Sequence, residues 1–273
     1  MPIVLSGQLI LAFICSLMIA MVQAVPMTTE QIAQCFHLAY PDTVKADNTS
    51  NNYILVNNRQ VPLAVNHSAT PYLRLLNKAS LGDQISQRYP LDFPTPARNE
   101  DPGRLRNQEF FKAMYGSNES SIQQNLTTIT WQPSGKKIRF NRMNGAAQAL
   151  VAVGEELALN PALRRYAAKT AGTFNYRVIQ GTNRLSAHAF GVAIDFALPE
   201  KLGTYWQWQG CREGGICAYP QILRRDAHLQ EMVAIFEKHG FIWGGKWYHY
   251  DSVHFEYRPE LLHPACRQLS THE

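Results

Sequence analysis

Two short strings decide how this chain is read: Ser186-Ala187-His188-Ala189-Phe190-Gly191-Val192-Ala193-Ile194-Asp195 and Trp247-Tyr248-His249-Tyr250-Asp251-Ser252-Val253-His254-Phe255-Glu256-Tyr257. In each, a turn-prone entry gives way to a run that suits a strand, Gly191 to Phe196 in the first and Val253 to Tyr257 in the second. Two imidazoles and one carboxylate, His188, His254 and Asp195, make a three-ligand zinc site with a fourth position open to water. A metal there lowers the pKa of water towards neutrality, and a base must still take the proton. Asp251 precedes His254 where the chain enters the strand, so it approaches the open side without ligating. Glu256 shares the face parity of His254. The HExxH pattern of helix-borne zinc proteases is absent.

Outward from these strings the pattern is regular from residue 141. Asn144 is read as the cap of a helix through about Leu159, with Ala146, Ala149, Leu150, Val153 and Leu157 on one face. Asn160-Pro161 opens a second helix. Thr173 to Ile179 reads as a strand, Gln221 to His239 as an amphipathic helix ended by Gly240, and Phe241 to Trp243 as a further strand. The expected fold class is α+β, a small, mainly antiparallel sheet flanked by helices. Residues 25–140 read as an irregular, polar N-terminal extension. In it, Tyr53 to Val56 and Val61 to Val65 form a hairpin around Asn57-Asn58, with Pro62 placing the second strand at an edge. Residues 86–108 read as a long loop rich in Pro, Arg, Asn and Asp, and Gln108 to Tyr115 as a helix stopped by Gly116.

The 273 residues are 45% hydrophobic and 17% charged, which excludes a disordered, collagen-like or coiled-coil chain. The net charge of +5 is small and scattered, so no nucleic-acid partner is expected. Leu9 to Val22 is apolar and uncharged, too short to span a bilayer comfortably, and Val22-Gln23-Ala24 is an acceptable cleavage site. Residues 1–24 therefore read as a signal peptide, and no stable membrane insertion is expected after its removal. Four cysteines remain, Cys35, Cys211, Cys217 and Cys266, an even number with three possible pairings. Gly214-Gly215 turns the chain between Cys211 and Cys217, so a local bridge there is simplest, which leaves Cys35 to Cys266. No CxxC spacing supports a cysteine zinc site. The N-x-S/T sequons at Asn48, Asn66, Asn118 and Asn125 carry meaning only in a glycosylating secretory system, and a bacterial, periplasmic or secreted setting is expected.

The strings SAHAFGVAID and DSVHF resemble the paired motifs of the D-alanyl-D-alanine carboxypeptidase family of cell-wall metallopeptidases, which includes vancomycin-resistance D,D-peptidases and phage L-alanyl-D-glutamate endolysins. The resemblance covers roughly residues 141–262 and implies a hedgehog/D,D-peptidase-like fold for residues 141–273. It implies one Zn2+ per chain on His188, Asp195 and His254, Asp251 as catalytic base, and peptidoglycan stem peptides as partners. It also implies an arginine upstream of the first metal histidine that holds a substrate carboxylate or carbonyl. Phe174-Asn175-Tyr176-Arg177 resembles that strand, which makes Arg177 the first choice and Arg184 the competing one. Ser186 lacks the GxSxG elbow of a nucleophile, so its hydroxyl is assigned to substrate binding or to orienting the site. His249 is either a substrate-binding group or a support for the site. Trp206 and Trp208, beside the cysteine loop, are read as core or as a rim over the cleft.

The expected activity is removal of a terminal D-amino acid, with L-alanyl-D-glutamate endopeptidase as the alternative. A non-catalytic zinc-containing wall-binding module is the alternative from another class, and Asp251 argues against it. A monomer is assumed.

Overall fold

The computed structural model describes residues 27–45, 52–63 and 71–270. The expected signal peptide, the sequons at Asn48 and Asn66, and Ala64 and Val65 of the expected hairpin lie outside those residues.

The sheet that carries both sequence strings is four-stranded and antiparallel throughout, in the order Thr170–Gly172, Ala193–Phe196, His254–Tyr257, Phe241–Trp243. Register puts Asp195 directly opposite His254 and Ala193 opposite Glu256. Because side chains alternate along a strand, Asp195, His254 and Glu256 share one face. Ile194 and Phe255 point the other way, into the core, where Phe236 of the helix Ala227–Lys238 stacks on Phe255 with ring centroids 4.1 Å apart. The helix Ala146–Leu159 packs beside that helix and buries Leu150, Val153 and Leu157. The α+β class expected from the pattern is the one observed.

Three local readings change. Asn144 does not cap its helix: it adopts a left-handed conformation (φ 52°) in a 3-10 turn, and the helix starts after Gly145. The strand expected at Thr173 to Ile179 lies earlier, at Thr170–Gly172, because the register shifts at Gly172 and the following residues bond to the first motif instead. The helix expected from Gln221 divides into a 3-10 turn, Gln221–Arg224, and the helix proper, whose cap is Asp226 accepting from the Leu229 amide.

The N-terminal part consists of short elements between irregular stretches. A capping box formed by Thr28 and Gln31 starts the helix Thr29–Ala39. Asn57 and Asn58, both at positive φ, make the two-residue turn between Tyr53–Val56 and Arg59–Pro62, so the second strand begins two residues sooner than expected. Asn107 caps the helix Gln108–Tyr115. A second hairpin, Leu126–Trp131 with Lys136–Asn141, turns through Gln132-Pro133-Ser134-Gly135, with Gly135 at φ 72° and its amide bonded to the Trp131 carbonyl. One hydrophobic core runs from Phe36 and Tyr40 through Phe110 and Phe111 to Phe190 and Leu261. Disulfides join Cys35 to Cys266 and Cys211 to Cys217. No helix among the described residues is long and apolar enough to cross a membrane.

Candidate metal centre and its cleft

His188 sits in a one-turn 3-10 helix, Ala187–Phe190, which Ser186 starts by accepting the His188 amide on its hydroxyl at 3.3 Å. Gly191 ends the turn at φ 68°, in the left-handed region that favours glycine, and a Cβ there would also press on the Leu126 side chain. Asn141 braces the turn through Nδ2 to the Phe190 carbonyl and its own amide to the Gly191 carbonyl. The His188 Nδ1–H donates to the Thr173 carbonyl at 2.7 Å, which leaves Nε2 as the free lone pair.

Nε2 of His188 lies 3.2 Å from Nδ1 of His254, and Oδ1 of Asp195 lies 3.0 Å from each. Tetrahedral coordination at about 2.0–2.1 Å places neighbouring ligand atoms about 3.3 Å apart, so the triangle has the size that a zinc ion requires. Glu256 Oε2 stands 3.2 Å from the other nitrogen of His254, the carboxylate partner that keeps a ligating imidazole oriented. Glu256 is held in turn by Arg258 at 2.7 Å, Arg258 by Glu260 at 2.6 Å, and Glu260 by Tyr40 of the N-terminal part.

The electrostatics favour a cation. Burial works against charge on His254, yet the Asp195 and Glu256 carboxylates push its pKa up to about 10. Burial likewise works against the two carboxylates, but the histidines hold Asp195 far below the ordinary range, and His254, Arg258 and Arg106 hold Glu256 at about 2. Asp251 is different. Burial pushes it up to about 6, and its Oδ1 is buried without a hydrogen-bond partner. Its backbone is fixed by its amide to the Gly244 carbonyl and by a bridge to Tyr205. The set is therefore three converging donors with one unsatisfied carboxylate oxygen nearby, which fits a metal that needs a base beside it.

All four groups line a cleft of about 760 Å³. Arg177 and Arg184 line it too, on either side of a tight excursion in which Ser186 N bonds the Arg177 carbonyl and Ile179 N bonds the Arg184 carbonyl. Arg177 is exposed, and its guanidinium reaches only the neighbouring Val178 carbonyl, at 3.5 Å. Arg184 is 7% exposed, makes one bond to the Arg104 carbonyl, and leaves Nε unpartnered. Burial and the nearby Arg104 charge lower its pKa.

Residues outside the two strings build a further part of the cleft: Arg104 and Arg106 line it, and buried Asp101 holds Arg104 from behind. Asp101, Arg104 and Arg106 come from the loop before Gln108. Asp101 accepts from the His249 amide at 2.8 Å and its Nδ1 at 2.7 Å, and from the Tyr72 hydroxyl. Burial alone would raise its pKa, but His249 and Arg104 together lower it. Arg104 spans Asp101 and Glu213, and Arg106 lies 3.7 Å from Glu256. His249 is thus a buried partner of Asp101, with Nε2 unbonded and 3.4 Å from Glu213. Clustered charges in an otherwise structureless Pro-rich loop were the available signal, because such charges need a reason to be held there.

A small antiparallel sheet thus presents an open His/Asp/His triangle in a cleft lined by four arginines and four carboxylates. Residues 180–257 match the family model described as D-alanyl-D-alanine carboxypeptidase, a similarity that supports a relation to that peptidase family over this part of the chain. The match holds both motifs and stops short of the Asp101 wall. No curated protein and no solved structure matches the chain.

Proposed function

We propose that the chain is an exported bacterial zinc peptidase that hydrolyses peptidoglycan stem peptides, with residues 141–273 as its catalytic part and residues 25–140 as its support. The observation that carries this reading is the triangle of His188 Nε2, Asp195 Oδ1 and His254 Nδ1 beside the unpartnered Asp251 carboxylate. Those three ligands would hold zinc, which when bound would supply Lewis-acid polarisation of a carbonyl and acidification of water. Asp251 takes the proton of the attacking water and passes it to the departing amine. Arg184, buried with an unused guanidinium edge, holds the carboxylate at the substrate's end, which favours removal of a terminal D-amino acid. Arg177 at the rim is the outer anchor. It favours the second reading, L-alanyl-D-glutamate endopeptidase, to the extent that a D-glutamate carboxylate reaches it. Ser186 acts by capping the turn that carries His188. Two disulfides suit the oxidising compartment beyond the cytoplasmic membrane.

Elemental analysis joined to digestion of defined muropeptides, before and after chelation, tests the reading. One zinc per chain and chelator-sensitive loss of single alanines is the expected result. Dipeptide-sized fragments move the assignment to the endopeptidase. Stoichiometric zinc without cleavage identifies a wall-binding module, and absence of stoichiometric metal overturns the site.

A further inference from the structure

Trp208 stands at the border of two cavities. One is the catalytic cleft; the other, of about 610 Å³, lies between the 200–210 segment and the Cys211–Cys217 loop, and Gly203 and Trp208 line both. The indole is 68% exposed, and Ile216 on the facing loop is 88% exposed. Exposure of this kind is unusual for so large an apolar group. The ring is nonetheless firmly placed. Its neighbour Trp206 is buried and bonds through its amide to the Tyr250 carbonyl at 2.9 Å, and Tyr205 bridges to Asp251. Tyr205 also supports the Trp208 ring edge-on at 5.8 Å. Gly210 at φ 75° closes the turn, and the disulfide follows at once. The platform and the proposed base are therefore parts of one hydrogen-bonded unit.

The second cavity combines that aromatic face with polar groups on Glu200, Lys201, Thr204 and Gln209. Glu200, Lys201 and Gln209 are exposed along its edge, and the Thr204 hydroxyl accepts from Gln209 Nε2 at 3.3 Å, so polar groups face any occupant beside the indole. A pyranose ring presents C–H groups on its face and hydroxyl and amide groups at its edge, which suits both halves of the lining. A stem peptide is covalently joined to such a ring, so a peptide seated in the cleft must bring its sugar out at one mouth, and Trp208 borders such a mouth. We propose that the second cavity is a glycan subsite in which an N-acetylated amino sugar of the wall strand stacks on Trp208. This rests on the stem-peptide reading above.

Titration calorimetry of the full chain with soluble, peptide-free glycan strands of alternating N-acetylglucosamine and N-acetylmuramic acid tests it. The parent protein binds; Trp208→Ala weakens binding at least about tenfold, roughly 1.4 kcal/mol; Trp208→Phe retains most of it; and Leu159→Ala, at an exposed leucine ending a distant helix, changes nothing. Absence of binding by the parent, or equal binding by Trp208→Ala, overturns the subsite. So does self-association in sedimentation that Trp208→Ala abolishes, which would assign the indole to a second copy. Cleavage of free stem peptide, measured in parallel, reports on the peptidase reading alone, so the two can fail separately.

Discussion

The cleft has two walls of different construction. On the sheet wall, strand register sets Asp195 opposite His254, and one glycine-ended turn delivers His188. Backbone pairing within a few residues places every donor. On the loop wall, Asp101, Arg104 and Arg106 come from a stretch without regular secondary structure, and what fixes them is a set of polar and ionic contacts, buried at His249 and Glu256, part-buried at Tyr72 and exposed at Glu213. The difference teaches that a site can be half local and half non-local. The first half is carried by two short motifs, whose Asp195 and His254 lie 59 residues apart; the second depends on partners scattered along the chain, from Tyr72, 29 residues from Asp101, to His249, 148 residues from it.

The comparison breaks most sharply at the base. Asp251→Asn should lower turnover of muropeptide substrate by about 10²–10⁴-fold while stoichiometric zinc stays bound, read from progress curves and elemental analysis. The sign on stability is opposite. A carboxyl raised to about 6 in the fold, against about 3.9 unfolded, loses stability as pH rises between those values. The variant should therefore melt higher than the parent at neutral pH when both are metal-free. Unchanged turnover would take the base away from the sheet wall.

The loop wall is tested next. Asp101→Ala leaves His249 and Arg104 buried without their shared carboxylate and should cost about 3 kcal/mol in urea unfolding. Because the folded pKa of Asp101 is lowered, its contribution is full above the unfolded value of about 3.9 and is lost as pH falls through the folded value. The gap between variant and parent should close in acid. A cost below about 0.5 kcal/mol at neutral pH would mean that the loop is held by other contacts.

The two walls also differ in how far they could be read from the amino acids. His188, Asp195 and His254 converge as expected, and what marked them, together with Asp251, was the resemblance of two strings to a family's paired motifs more than spacing alone. The antiparallel character of the sheet and the helices Ala146–Leu159 and Ala227–Lys238 were legible from periodic burial, but the strand order was not, and Asn144 misled: an asparagine that can cap can equally adopt left-handed φ. Position in the resembling strand favours Arg177 over Arg184, both line the cleft, and their difference in burial is set by tertiary packing that sequence does not display. Asp101 and Arg104 were not legible, since Asp101-Pro102-Gly103-Arg104 is an ordinary turn sequence until Tyr72, His249 and Glu213 arrive around it.

A subtler break lies where the walls meet. Glu256 belongs to the sheet wall but touches Arg106 of the loop wall as well as His254. Glu256→Gln keeps the volume and removes the charge that orients the imidazole. Metal affinity, followed by competition with a chromogenic chelator, should fall about 10–100-fold. A fall of that size with unchanged melting of the metal-free chain would place the role of Glu256 in the metal site rather than in packing.

The smallest expected effect asks whether the loop wall tunes the sheet wall's base at a distance. Burial raises the Asp251 carboxyl to about 6; the histidine charges and Arg104 act against that rise, and Asp195 adds to it. Only the ionised form accepts a proton, so kcat/KM should fall about tenfold per pH unit below the apparent pKa. A bound dication pulls the carboxyl lower still, which sets the acid limb at or below pH 6. Arg104 is the loop-wall cation among these influences. Arg104→Met removes its charge, relieves the carboxylate of one attraction, and should move the acid limb upward by about half a unit or less. Salt should shrink the shift only slightly, because Arg104 is mostly buried. An unmoved limb would confine the tuning of the base to the sheet wall, and a downward move would mean that Glu213, freed from Arg104, matters more to the cleft than the cation it lost.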